Sequence, residues 1–127
     1  MNNKRRRKNS NNLKNKNFIE AFINAVNGIV HGFKTQRNLK IQLVIAIIVI
    51  LVGVRLELNK TDFIAIIFSI FLVFVTEMIN TAIESAVDLE TEQYNKLAKI
   101  AKDVAAGAVL LASLNAVIIA IIILINK

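Results

Sequence analysis

The 127-residue sequence has no cysteine, no proline and no tryptophan, one histidine and four glycines. Without cysteine, neither a disulfide framework nor a thiolate metal site is possible, and a lone His31 excludes a His-rich zinc centre. The glycines, at 28, 32, 53 and 107, are scattered, so the P-loop and the glycine loop of soluble protein kinases are both missing. Any nucleotide site must therefore be built in another way. With so few helix breakers, the chain is expected to be nearly all helix.

What fills the sequence is apolar. Hydrophobic residues make up 55% and the mean hydropathy is +0.55, against about 45–50% apolar residues in an ordinary globular domain. The length fits one domain. These features indicate a membrane protein, and a formal net charge of +7 suggests contact with anionic headgroups.

Residues 1–17 are rich in asparagine and basic, with the run Lys4-Arg5-Arg6-Arg7-Lys8. Such a segment cannot bury enough apolar surface to fold, and a disordered tail is expected. Its charge admits nucleic acid as a partner, but a basic run just before a membrane domain is better explained as a topology and headgroup signal, so no nucleic acid is expected. No apolar stretch follows at the spacing of a signal peptide.

Residues 18–35 read as a short amphipathic helix. Phe18, Phe22, Val26, Ile29 and Phe33 recur at three or four residues, opposite a stripe of Glu20, Asn24, Asn27, His31 and Lys34. Lying in the headgroup plane is the expected use, and His31 on the polar stripe is expected to be solvated. Three apolar helices follow, predicted over about 39–58, 61–89 and 98–125, with Thr61 and Asp62 as the N-terminal signal of the second.

Of the 16 Lys and Arg residues, all but Arg55, Lys60 and Lys127 lie before the bare apolar core of the first span, which begins at Leu43, or in the 90–103 segment. The positive-inside rule therefore places the N-terminus and the 90–103 segment in the cytoplasm of a multi-pass plasma-membrane protein. On the third helix, Ala101, Ala105, Ala108, Ala112, Ala116 and Ala120 form a small-residue stripe for close packing. Three helices alone cannot enclose a site, and an oligomer is expected.

The most informative stretch runs from Glu77 to Asp88. On a helix, Glu77, Asn80, Glu84 and Asp88 share one narrow face, directly after an apolar run broken only by Ser69. Carboxylates at membrane depth are costly unless a cation, a phosphate complex or a proton in transfer pairs with them. Glu84 and Asp88 are oxygen ligands of the kind magnesium accepts, and Lys96, Lys99 and Lys102 could offset phosphate charge. Glu77, nearly two turns deeper, is placed as a general base would be. The pattern describes phosphoryl transfer from a water-soluble donor to a hydroxyl presented from the bilayer.

The residues Glu77-Met-Ile-Asn80-Thr81-Ala82-Ile-Glu84, continuing to Val87-Asp88, resemble the signature of the prokaryotic diacylglycerol kinase family. Ala101-Lys102-Asp103-Val-Ala-Ala-Gly-Ala-Val-Leu is similar to its second block. That block and Gln36-Arg37-Asn38 are more similar to the undecaprenol kinase branch. The resemblance extends over roughly residues 18–125. It implies an all-α integral-membrane homotrimer, with a surface helix and three transmembrane helices per subunit and composite sites between subunits, that uses ATP and Mg2+.

The resemblance also assigns roles. Glu77 would be the catalytic base, Asn80 a neighbour that orients it, and Glu84 a magnesium ligand. Asp88, Lys102 and Asp103 would serve the nucleotide. The family's second metal-binding glutamate falls here on Gln36, whose amide oxygen can still coordinate magnesium but carries no charge.

Two functions follow. The first is a kinase that phosphorylates undecaprenol, or alternatively diacylglycerol. The second is a non-enzymatic oligomeric membrane protein in which Glu77 and Glu84 line an aqueous gap.

Overall fold

Four helices account for the secondary structure of residues 18–127, the part of the chain that this computed structural model describes, and no strand occurs among them. They are α1 (Phe18–Thr35), α2 (Arg37–Arg55), α3 (Lys60–Glu90) and α4 (Lys96–Ile125). The all-α architecture expected from the sequence is thus observed. The basic tail expected over residues 1–17 lies outside the described residues. The chain divides after His31 into two compact units, taken here one at a time.

In the first unit, α1 places Glu20 in its first turn, where the helix dipole favours a negative charge. Most of its large apolar residues, among them Phe18, Phe22, Val26 and Ile29, are exposed. An uncovered apolar stripe opposite a polar one suits a lipid interface.

The second unit holds α2, α3 and α4, and all three are long and apolar enough to cross a membrane. Helix α2 ends at Arg55, three residues before the predicted end, because the backbone turns on itself. The Leu58 amide donates to the Gly53 carbonyl (3.1 Å) and the Glu57 amide to that of Val54 (3.0 Å), the paired bonds of a Schellman cap. Glu57 sits at φ 51°, in the left-handed region that glycine normally occupies. Gly53 makes the turn possible. A Cβ there would come within 3.2 Å of a Leu58 methyl and 3.3 Å of the Phe63 ring.

Helix α3 starts one residue earlier than predicted, and its N-cap is Asn59 instead of the Thr61-Asp62 pair. The Asn59 side chain accepts from the Asp62 amide (3.0 Å) and donates to the Asp62 carboxylate (2.8 Å), so Asp62 serves as the third helical residue of a reciprocal cap. At the next junction Asn95 caps α4 by accepting from the amides of Leu97 and Ala98. That cap moves the start of α4 to Lys96.

Helices α3 and α4 pack along most of their length, and α2 meets α3 over a smaller area. The buried residues keep a spacing of seven on α2 (Leu39, Ala46, Gly53) and on α4 (Ala105, Ala112), the repeat of helices crossing at a shallow angle. The small-residue stripe is therefore used at Ala105 and Ala112. Gly107, by contrast, has nothing within 4 Å of where a Cβ would lie. Most large apolar side chains of these helices face outward, Leu51, Phe68, Leu111 and Ile125 among them. Such a surface is stable against lipid or neighbouring chains.

Candidate functional site

Helix length decides where the polar residues fall. Helix α2, with 19 residues, is about 28 Å long, close to the roughly 30 Å of a hydrocarbon layer. Helix α3 has 31 residues and exceeds that layer by about ten. Counted from Lys60, some twenty residues bring α3 to the far boundary near Asn80, so Glu84 and Asp88 project beyond it. The first ten residues of the 30-residue α4 project on the same side. Lys99, Lys102 and Asp103 are in that stretch.

The inner part of the site continues the packing stripe of α3. Glu77 and Asn80 come eleven residues after Ile66 and Ser69, just over three turns, and so inherit the same inward direction. All four are buried, and Glu77, 3% exposed, is the single buried charged residue among the described residues. Asn38, in the first turn of α2, donates from Nδ2 to Glu77 Oε1 at 2.9 Å. Asn80, expected to orient Glu77, instead gives its amide to Glu84 Oε1 at 3.3 Å. Its own Oδ1 is buried with no hydrogen-bond partner. Two carboxylates are thus each paired with a neutral amide, at the level where α3 leaves the hydrocarbon.

The outer part is open to water. Lys102 Nζ donates to Asp88 Oδ1 at 2.6 Å, joining the start of α4 to the end of α3, and Lys99 pairs with Asp103. These side chains, together with Tyr94 and Asn95 of the connecting loop, line a shallow cleft. Asp88 lies eleven residues beyond Glu77, or about 16 Å along the helix, so one ion cannot bridge them within a chain. Gln36 is the half-buried N-cap residue of α2 and makes no side-chain cap bond. It lies two residues before Asn38, at the same end of the unit as Glu77.

A magnesium ion requires oxygen donors and is usually held by one or two carboxylates together with substrate phosphates. No group of three or more His, Cys, Asp or Glu that could cage a metal occurs among the described residues. Glu84 and the unpartnered Asn80 Oδ1 offer oxygen donors of the kind magnesium takes but do not form a resident metal cage.

Toward the hydrocarbon, one turn below Asn38 and Glu77, lies an apolar cavity of about 280 Å³ walled by residues of α2, α3 and α4, including Ile66, Phe74 and Val117. Gln42 is on its wall, and the Gln42 Oε1 atom is buried without a partner. Neither Asn38 nor Gln42 is conspicuous as a site residue in the sequence. Each is a neutral amide near the start of an apolar helix, where a cap or headgroup contact is the ordinary explanation. The spacing of four between them, on a helix predicted to begin at 39, was the available signal.

An exposed Lys/Asp cluster, a buried carboxylate at the bilayer boundary and three long apolar helices define a polytopic membrane protein with a polar site at one face of the membrane. The chain belongs to the prokaryotic diacylglycerol kinase family, an enzyme family whose profile matches residues 23–124. It is 43% identical over 104 residues to a Synechocystis protein named diacylglycerol kinase, a match covering 81% of this chain and 59% of that protein. It is 37% identical over 110 residues to the undecaprenol kinase of Bacillus subtilis, covering 87% and 89%. The diacylglycerol kinase of Escherichia coli K12 is 33% identical over 75 residues, covering 59% and 62%. The match thus spans less than two thirds of two of these three relatives.

Proposed function

We propose that the chain is a lipid kinase that transfers the γ-phosphate of MgATP to the hydroxyl of a membrane lipid, with undecaprenol as the preferred acceptor. The observation that carries this reading is Glu77, a carboxylate buried where α3 leaves the hydrocarbon and tied through one oxygen to a neutral amide. A carboxylate in that position is expensive to keep, and it is well placed to take a proton from a lipid hydroxyl. As that hydroxyl oxygen attacks the γ-phosphorus, the bond to the β–γ bridging oxygen breaks and ADP leaves. Glu77 accepts the hydroxyl proton. Asn80 holds Glu84 in place, and Glu84 and Gln36 would hold the magnesium ion, which when bound offsets the charge on the phosphates.

In the outer cluster, Lys102, held by Asp88, offsets phosphate charge, and Asp103, paired with Lys99, completes the nucleotide site. The Lys and Arg distribution orients this end toward the cytoplasm, where ATP is. A homotrimer would bring a second chain over the open side of each site. Undecaprenol is favoured by Gln36-Arg37-Asn38 and by the near full-length match to the Bacillus enzyme. The identity to the Synechocystis protein supports diacylglycerol as the second reading.

The test is transfer of labelled γ-phosphate from ATP in reconstituted membranes, with both lipids offered side by side and magnesium varied. Label on undecaprenol alone is the expected result. Label on diacylglycerol alone would reverse the substrate assignment, and label on neither lipid at any magnesium level would favour the non-enzymatic reading.

A further inference from the structure

We propose that Asn38 is the positioning residue for Glu77, a role that rests on the lipid-kinase reading given above. Glu77 projects from α3, and the amide it accepts belongs to a different helix, 39 residues away in the chain. The donor is held in place by its neighbour. Leu39 is completely buried, and its Cδ1 lies 3.1 Å from where a Cβ of Gly32 would be. The Gln36 amide in turn donates to the Gly32 carbonyl at 2.8 Å. The first turn of α2 cannot rotate without breaking this contact, so the Asn38 side chain meets Glu77 from a fixed direction. Asn38 itself is exposed, and its packing contributes little to the core.

The chemistry of the donor matters. A lysine or arginine in its place would bind the carboxylate as an ion pair and weaken it as a base. A neutral amide orients the carboxylate without that penalty. It occupies Oε1 and leaves Oε2 to accept the hydroxyl proton. A side chain with three freely rotating bonds would otherwise sample several orientations in the site, few of them aligned with the reacting hydroxyl.

The experiment compares wild type, Asn38→Ala and Asn38→Gln in reconstituted membranes at saturating ATP and lipid, with KM and thermal unfolding measured alongside. Asn38→Ala is expected to lower kcat about ten- to a hundredfold, with both KM values within about twofold and the unfolding midpoint lowered only by the loss of one hydrogen bond, which Asn38→Gln restores. Asn38→Gln, which keeps the amide donor, should recover a large part of kcat. A second readout is independent of turnover. With glutamate carboxyls labelled by carbon-13, the infrared band of the buried carboxylate should shift in Asn38→Ala and return in Asn38→Gln.

An active wild type with unchanged kcat in Asn38→Ala would overturn the role of Asn38 and leave the kinase reading intact. A fall in kcat matched by a lower unfolding midpoint, with no recovery in Asn38→Gln, would make Asn38 an interhelical tie and likewise overturn it. A wild type inactive on every lipid would remove both.

Discussion

Replacing Glu77 by glutamine tests the site with little change of shape. The amide oxygen of the new side chain can still accept the Asn38 bond, now observed at 2.9 Å. A hydrogen bond to a charged group is worth about 1.5–3 kcal/mol and a neutral one about 0.5–1.5, a loss of roughly 1 kcal/mol. Against that, a residue only 3% exposed no longer carries a charge out of water. The two effects oppose each other, and the net stability change should stay within about 1–2 kcal/mol.

The rate has no such compensation. Loss of a general base costs about 10²–10⁴-fold, or roughly 2.7–5.4 kcal/mol in the barrier at 1.36 kcal/mol per tenfold. Glu77→Gln should therefore assemble, unfold near the wild-type temperature and bind ATP with an ordinary KM, while phosphate transfer falls at least a hundredfold. Single-turnover transfer of labelled phosphate, beside thermal unfolding in detergent, reads both quantities. Transfer within tenfold of wild type would refute the base assignment. Loss of assembly with transfer intact would mean that Glu77 holds the chains together.

Other consequences are open to measurement. Gln36→Glu adds a charged oxygen to the proposed metal ligands and should lower the magnesium concentration for half-maximal rate; an unaltered magnesium dependence would show that another group already fills that place. Lys102→Ala breaks a pair that is largely exposed on the Asp88 side, so stability should fall by no more than about 1 kcal/mol, while KM for ATP rises. An unchanged KM would separate Lys102 from the nucleotide. Glu57→Gly removes a side chain from a left-handed backbone position and should stabilise the turn by about 0.5–1 kcal/mol, seen as a higher unfolding midpoint. Gly53→Val would push against Leu58 and Phe63 and should destabilise by about 1–3 kcal/mol.

Membership of the prokaryotic diacylglycerol kinase family also bears on the shape of the site. One chain supplies a buried carboxylate, Glu77, and an open charged cleft about 16 Å apart along α3. The apolar cavity below Glu77 adds a third part, with walls suited to a hydrocarbon chain. In the proposed reaction a lipid hydroxyl and a nucleotide would approach from opposite sides of the bilayer boundary. That separation suits a reaction whose two substrates share no solvent.

The sequence by itself determined the helices, their apolar character and the polar face from Glu77 to Asp88, because these depend on spacings of three and four residues within one element. Helix ends were less legible, and for local reasons. Leu56 and Leu58 extend the apolar residues past Arg55, and nothing marks Glu57 for a positive φ. Asn59 with Asp62 three residues later is a readable cap, but Thr61-Asp62 imitates one two residues on.

What the tertiary structure alone decided is the partner of each polar group. Glu77 meets Asn38 because α2, with Leu39, Ala46 and Gly53 buried along one line, is held at one rotation, whereas Asn80 and Glu84 pair four residues apart within α3. That rotation results from side-chain volumes meeting across two helices. The periodicity of either helix alone does not say which residue lies across the contact.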